Sequence, residues 1–366
     1  MKSLRKILEK RIINFGPISI SDFMIESNQN PKFGYYNTSF PFGKKGDFVT
    51  APEVSQMFGE LIGLWIVDCW KKMGEPKKFN IIELGPGTGV LMQDTLKTIN
   101  LNQKCKKACN KIYLLEISNK LKKFQKKNLS KNNSNFLNKI QWINNLEKIE
   151  NSPFILIANE FFDTLPIQQI ELTQNGLRER LVNFNNKKKF FYFTLSNHPT
   201  LLEKFLPNFS EKNIQIGQIY EIPLQMIRLL DEIFKKINKI KSFVLIIDYI
   251  KKKTYGSTLK SIRNHKIVNP LKHPGLTDTS VHVDFSLIKK ISKNFNLRYY
   301  GPQTQRNFLI KLGILERAKI LNKNANLKQR KIINNGLDFL INESNMGKIF
   351  QIISISNYSL KTPDGF

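Results

Sequence analysis

Glu83, Gly85, Gly87 and Gly89 alternate through "FNIIELGPGTGVLMQDTLKTI", residues 79–99, between an apolar run and a helix-like pattern. A turn from a buried strand into a helix needs glycine where the backbone takes positive φ or comes close to a ligand. The helix amides then face the crevice beyond the strand ends, where two kinds of cofactor bind. A dinucleotide rests its pyrophosphate there and calls for G-x-G-x-x-G. S-adenosylmethionine has no phosphate, and its sites commonly pair an acidic residue with a tighter E/D-x-G-x-G-x-G turn. The second pattern matches at every position, whereas residue 90, where the dinucleotide pattern wants glycine, is Val. A carboxylate at Glu83 repels an anion and suits a sulfonium. Glu116, 27 positions beyond Gly89, closes the next apolar run and can accept both hydroxyls of a ribose. A glycine turn without a ligand is the plain alternative, but it leaves unexplained why two successive strands end in acidic residues.

A second group of polar residues follows in "PFILIANEFFDTLP". Asn159 and Glu160 end a strand at the same crevice, and Asp163 follows on the turn. Two carboxylates and an amide can grip a cationic or amide-bearing acceptor and orient its lone pair. A guanidinium fits especially well, because a carboxylate takes it in bidentate fashion. The competing reading of Asp163 is a helix N-cap. His265, His273 and His282 lie in a loop-rich insertion, and their spacings match no zinc pattern. No metal is expected, and His265 and His282 are candidates for lining the acceptor cleft.

These residues need an alternation of strands and helices to hold them. "FNIIEL", "KIYLLEI", "IQWIN" and "PFILIANEF" read as strands, with "TGVLMQDTLKTI" and "NKLKKFQKKNL" as helices between them. Such alternation predicts βαβ units and a parallel sheet covered on both faces. A buried strand at 242–250 follows the helical stretch "PLQMIRLLDEIFKKI", and "IFQIISIS" at 349–356 reads as a last, antiparallel edge strand. Residues 167–195 read as a β-meander turning at Asn175-Gly176 and Asn185-Asn186. Residues 251–281 read as loop-rich, and 282–345 as mostly helical. In the head of the chain, Thr50-Ala51-Pro52-Glu53 has the form of a capping box and sets a helix start near residue 51. We expect a cap segment over residues 1–75 and a core over 76–366, with insertions at about 167–222 and 251–345.

The composition is that of a globular protein, with 41% hydrophobic and 24% charged residues among 366. No uncharged apolar run reaches roughly 18 residues, so membrane insertion is not expected. The formal charge of +29 would favour polyanions. Lys is nevertheless spread along the whole chain with abundant Asn and Ile, which reads as compositional drift, and no nucleic acid is required as a partner. Cys69, Cys105 and Cys109 cannot all pair, which suits a reducing compartment. The N-terminal stretch flows into a helix pattern through Ile7, Leu8, Ile12 and Ile13 and shows no signal or transit peptide. On these grounds a cytoplasmic location is expected.

Together "GYYNTSFPFGKKGDFVTAPEVSQMFGELIGLW", "ELGPGTG", "ANEFFDTLPI", "GSTLKSIRNHKIVNPLKHPGLTDTSVHVDF" and "GPQTQRNFLIKLGI" resemble the MidA family of methyltransferases, from about Leu4 to Ile355. The resemblance implies a class I, seven-stranded, S-adenosylmethionine-dependent α/β fold. It also implies symmetric protein arginine dimethylation of a respiratory NADH dehydrogenase (complex I) subunit. By the same resemblance Gly85, Gly87 and Gly89 form the cofactor turn and Glu116 holds the ribose. Asn159, Glu160 and Asp163 line the acceptor site, and Asp47, Thr50 and Glu53 cap the cofactor. The family turn usually reads GPGRG and then Thr, and its strand DYG; here Thr88, Val90 and Ile250 stand in those places. Two other functions compete: methylation of nucleic acid or a small molecule, and a non-catalytic assembly chaperone that keeps the fold.

Overall fold

A computed structural model describes residues 3–38, 49–206, 215–253 and 255–366. Asp47 lies outside the described residues.

Seven segments form the central sheet: β1 (Phe79–Leu84), β2 (Cys109–Leu115), β3 (Ile140–Ile143), β4 (Phe154–Asn159), β5 (Phe243–Tyr249), β6 (Arg298–Thr304) and β7 (Phe350–Ser356). Their order across the sheet is β6-β7-β5-β4-β1-β2-β3. β1 to β5 pair in parallel, and β7 runs antiparallel to both β5 and β6. The antiparallel direction of the last strand was legible in its sequence, but its edge position was not. β7 is interior, because "RYYGPQT" at residues 298–304, within a stretch read as helical, supplies the outer strand. All six residues of β1 are buried, as a central parallel strand requires.

The sheet is covered by helices on both faces. On one, α1 (Gln56–Lys72) packs on α2 (Val90–Leu101) in a core with Trp65, Phe79 and Phe243. Gly59 and Gly63, one turn apart, permit this approach. A Cβ at Gly59 would come within 2.7 Å of Asp94 Cβ, and one at Gly63 within 2.7 Å of Thr95 O. On the other face, α4 (Leu224–Lys239) and the helix Phe285–Asn294 bury Leu230, Phe234 and Ile288. Between β2 and β3 runs α3 (Asn119–Asn132), N-capped by Ser118.

The meander is realised as Gln168–Thr173, Gly176–Asn185 and Phe190–Pro199, with Ile219–Ile222 paired to its first strand. The N-terminal helix Leu4–Phe15 packs beneath it in a separate apolar core with Phe23, Val182 and Phe191. The stretch at 251–281 holds more than loops. Strands Lys260–Arg263, Lys266–Val268 and Asp278–Ser280 form a small antiparallel sheet there. No described helix is long and apolar enough to cross a membrane.

The helix start near residue 51 is found, but its helix ends at Val54, and α1 begins separately behind the N-cap Ser55. The capping box does not form, because the Glu53 carboxylate accepts the Thr88 hydroxyl of the glycine turn instead.

Candidate functional site

β2 and β4 flank β1 on opposite sides and lead their connections away in opposite directions, so the crevice lies beyond the carboxyl ends of these strands. A cavity of about 430 Å³ opens there. Its walls include Glu83, Gly85, Gly87, Glu116, Asn159, Glu160 and Asp163, together with Thr50 and Glu53 from the head of the chain.

At one end lies the glycine turn. Gly85, Gly87 and Gly89 all have positive φ, at +63°, +54° and +81°. A Cβ at Gly85 would stand 2.7 Å from Phe161 Cδ2, so this position needs glycine for both conformation and space. Gln125 on α3, which has no exposed surface, braces the region. Its Nε2 donates to Gly87 O at 2.9 Å and to Glu116 Oε2 at 3.1 Å, while its Oε1 accepts the Trp142 indole at 2.8 Å. The other Glu116 oxygen accepts the Ser118 amide at 2.7 Å. Sequence reasoning missed Gln125, because nothing local marks a polar residue on an amphipathic helix as buried.

Glu83 is 2% exposed, and among the described residues its Oε2 has no hydrogen-bond partner. Burial, reinforced by the Glu116 charge, pushes its carboxyl up to about 8. An unpartnered buried carboxylate oxygen on a cleft wall calls for a donor or a cation from a ligand. Burial also raises Glu116, against the amide and side-chain donors that favour its charged form. This donor set fits S-adenosylmethionine: Glu83 and the glycine turn would hold its cationic amino-acid end, and Glu116 its ribose.

The other end is acidic. Glu160 takes a left-handed conformation, φ +50°, at the end of β4, with its amide donating to Ile247 O at 2.9 Å. Burial and the neighbouring Asp163 push Glu160 up to about 8. Asp163 is 5% exposed, its Oδ1 has no partner among the described residues, and burial followed by Asp248 and Asp278 raises its pKa well above the ordinary carboxylate range. Asn159 Oδ1 is also unpartnered.

The N-cap reading of Asp163 fails for a specific reason. Asp248 Oδ2 accepts the amides of Phe162 and Asp163, at 3.1 and 3.2 Å, and so caps that turn from the end of β5. Asp248 follows the same rule as Glu83 and Glu116, an acid ending a parallel strand, and its sequence carries the same signal. Asp278, Tyr36, Tyr249 and Lys260 also line the cleft. The Tyr36 hydroxyl donates to Asp278 Oδ1 at 2.6 Å. No local pattern announces these four residues.

The histidines do not line the cleft. His265 and Asn264, with φ of +60° and +49°, are the two central residues of the tight hairpin after Arg263, and His265 is exposed. His282 stacks on the outer side of the site instead, its ring 6.1 Å from that of Tyr249 at an interplanar angle of 13°.

A protein-family model described as "Putative S-adenosyl-L-methionine-dependent methyltransferase" matches residues 61–303. The zebrafish (Danio rerio) protein named "Protein arginine methyltransferase NDUFAF7, mitochondrial" is 33% identical over 97% of this chain and 87% of its own length. The Homo sapiens protein of that name is 29% identical over 96% and 82%. A crystal structure from Burkholderia thailandensis, bound to S-adenosyl-homocysteine, has the same fold, with a TM-score of 0.84 at 22% identity over 99% of this chain and 93% of its own. The relatives are named as mitochondrial, which overturns the cytoplasmic expectation. The chain belongs to this S-adenosyl-L-methionine-dependent methyltransferase family, in line with its MidA-type motifs, and S-adenosylmethionine is its cofactor.

Proposed function

We propose that this methyltransferase modifies arginine in a protein, with a respiratory NADH dehydrogenase subunit as the target and symmetric dimethylarginine as the product. The observation that carries the reading is the set of cleft-lining carboxylates, Glu160, Asp163 and Asp278, opposite the cofactor turn. The names of the NDUFAF7 relatives support the same acceptor.

S-adenosylmethionine, when bound, supplies a methyl group already activated on a sulfonium. The chain's part is to seat and orient the acceptor. Glu160 and Asp163 would take the guanidinium N–H groups, drawing positive charge away from the nitrogen that reacts. Asn159 Oδ1 and Asp163 Oδ1, both unpartnered, are available to accept such donors. The guanidinium must lose a proton in the course of the transfer. Burial pushes Glu160 up to about 8, so the guanidinium's charge beside it would first drive its own proton to solvent, and the carboxylate so formed can take the proton that the nitrogen loses. Tyr36, tied to Asp278, and Tyr249 close the walls of this end.

Mass spectrometry of NADH dehydrogenase subunits from cells with and without the protein tests the assignment. A dimethylarginine that disappears with the protein is expected. Unchanged arginine modification in every subunit would remove the proposed target.

A further inference from the structure

Within the acid end of the cleft stands a cation belonging to the chain itself. Lys260 Nζ lies 4.3 Å from the centroid of the Tyr249 ring. Tyr249 also contacts Phe350, at 4.4 Å between centroids, and stacks with His282, so its ring is packed as well as capped by the ammonium. Main-chain pairing of Lys260 with Ser280 fixes the backbone, which leaves the four-carbon stem as the movable part.

Among the described residues the Lys260 ammonium makes no ion pair with a carboxylate within 4.0 Å. It sits instead on the aromatic face and in the field of the carboxylates, partly offsetting the effect of burial on Asp163. An ammonium held only by a ring face and a diffuse field can be displaced.

We propose that Lys260 is a specificity-determining residue: its ammonium occupies the cation position of the acceptor subsite and favours arginine over lysine side chains. The proposal rests on the arginine reading above. An incoming lysine ammonium would exchange one compact, strongly hydrated charge for another with no gain in contacts. A guanidinium is more weakly hydrated, stacks on the ring through its plane and forks two donors onto a carboxylate, so it can displace Lys260.

Ligand-observed NMR titration of the full chain, saturated with S-adenosylhomocysteine, tests this with propylguanidinium and butylammonium as probes. The wild type is expected to bind propylguanidinium more tightly. In K260M, butylammonium should gain about tenfold, as expected when a competing cation on an aromatic face is removed, and the preference should narrow. K260Q provides a second neutral side chain in case one variant folds poorly, and K260R should keep the wild-type preference. A preference unchanged in both neutral variants, or weaker binding of both probes, would overturn the role of Lys260 alone. A wild type that binds butylammonium and not propylguanidinium would overturn the arginine reading itself.

Discussion

The donor end of the cleft comes from one continuous stretch, β1 through α3, whereas the acid end collects Tyr36, Glu160, Asp163, Asp248, Lys260 and Asp278 from distant parts of the chain. The donor end is braced largely from within its own stretch, with Gln125 bonded to both the turn and Glu116, and Glu53 of the head segment adds a strut to Thr88. Among the described residues both ends keep open acceptors, Glu83 Oε2 at the donor end and oxygens of Asn159 and Asp163 at the acid end. One end is a local motif that many sequences could carry. The other is a tertiary product, and our proposal places acceptor choice there.

Separate ends should fail separately. Glu160→Gln keeps the shape of the acid end and removes its ability to ionise against a guanidinium and to take up a proton. We expect kcat to fall by about 10²- to 10³-fold with donor affinity little changed; a kcat within threefold of wild type would take Glu160 out of the reaction.

Gly85→Ala probes a place where the ends meet, since the added Cβ comes against Phe161, next to Glu160. Strain at φ +63° and the clash should cost about 1–3 kcal/mol. S-adenosylhomocysteine affinity measured by calorimetry should drop by roughly tenfold or more, and unaltered affinity would deny the turn its role.

Glu83→Gln separates stability from binding. Glu83 titrates near 8 in the fold, against 4.5 for the unconstrained carboxyl. Between those values the folded chain holds more protons than the unfolded chain, so its stability falls as pH rises. The ligand-free variant should therefore gain on the order of 5 kcal/mol over wild type at pH 9 and nothing at pH 4, while binding the cofactor more weakly. Equal melting curves at pH 9 would contradict the burial of this charge.

The smallest change is Thr88→Val, which leaves Glu53 without its hydroxyl partner. A loss of about 1 kcal/mol in donor affinity is expected. A tighter-binding variant would show that the strut between the head segment and the turn opposes the ligand.

The same contrast governs what the sequence made legible. Glu83, the three glycines and Glu116 were readable because a strand–turn–helix unit fixes their relative places within a few residues. Asn159, Glu160 and Asp163 were readable as a strand end, but which of them caps the following turn depended on Asp248, 85 residues beyond Asp163. The histidines illustrate the limit. A loop-rich stretch gives no register, and the residues that matter there, Lys260 and Asp278, are set by the small sheet that pairs them across its turns. β6 escaped for a related reason, since "RYYGPQT" lacks a clean alternation and is defined by its partner β7.

The central claim is that the acid end accepts an arginine. The most direct measurement incubates the purified chain with NADH dehydrogenase subunits and S-adenosylmethionine carrying an isotopically labelled methyl, then maps the label by tandem mass spectrometry. Labelled dimethylarginine in the wild-type reaction, absent with Glu160→Gln, is predicted; label on lysine, nucleic acid or a small molecule would contradict the account.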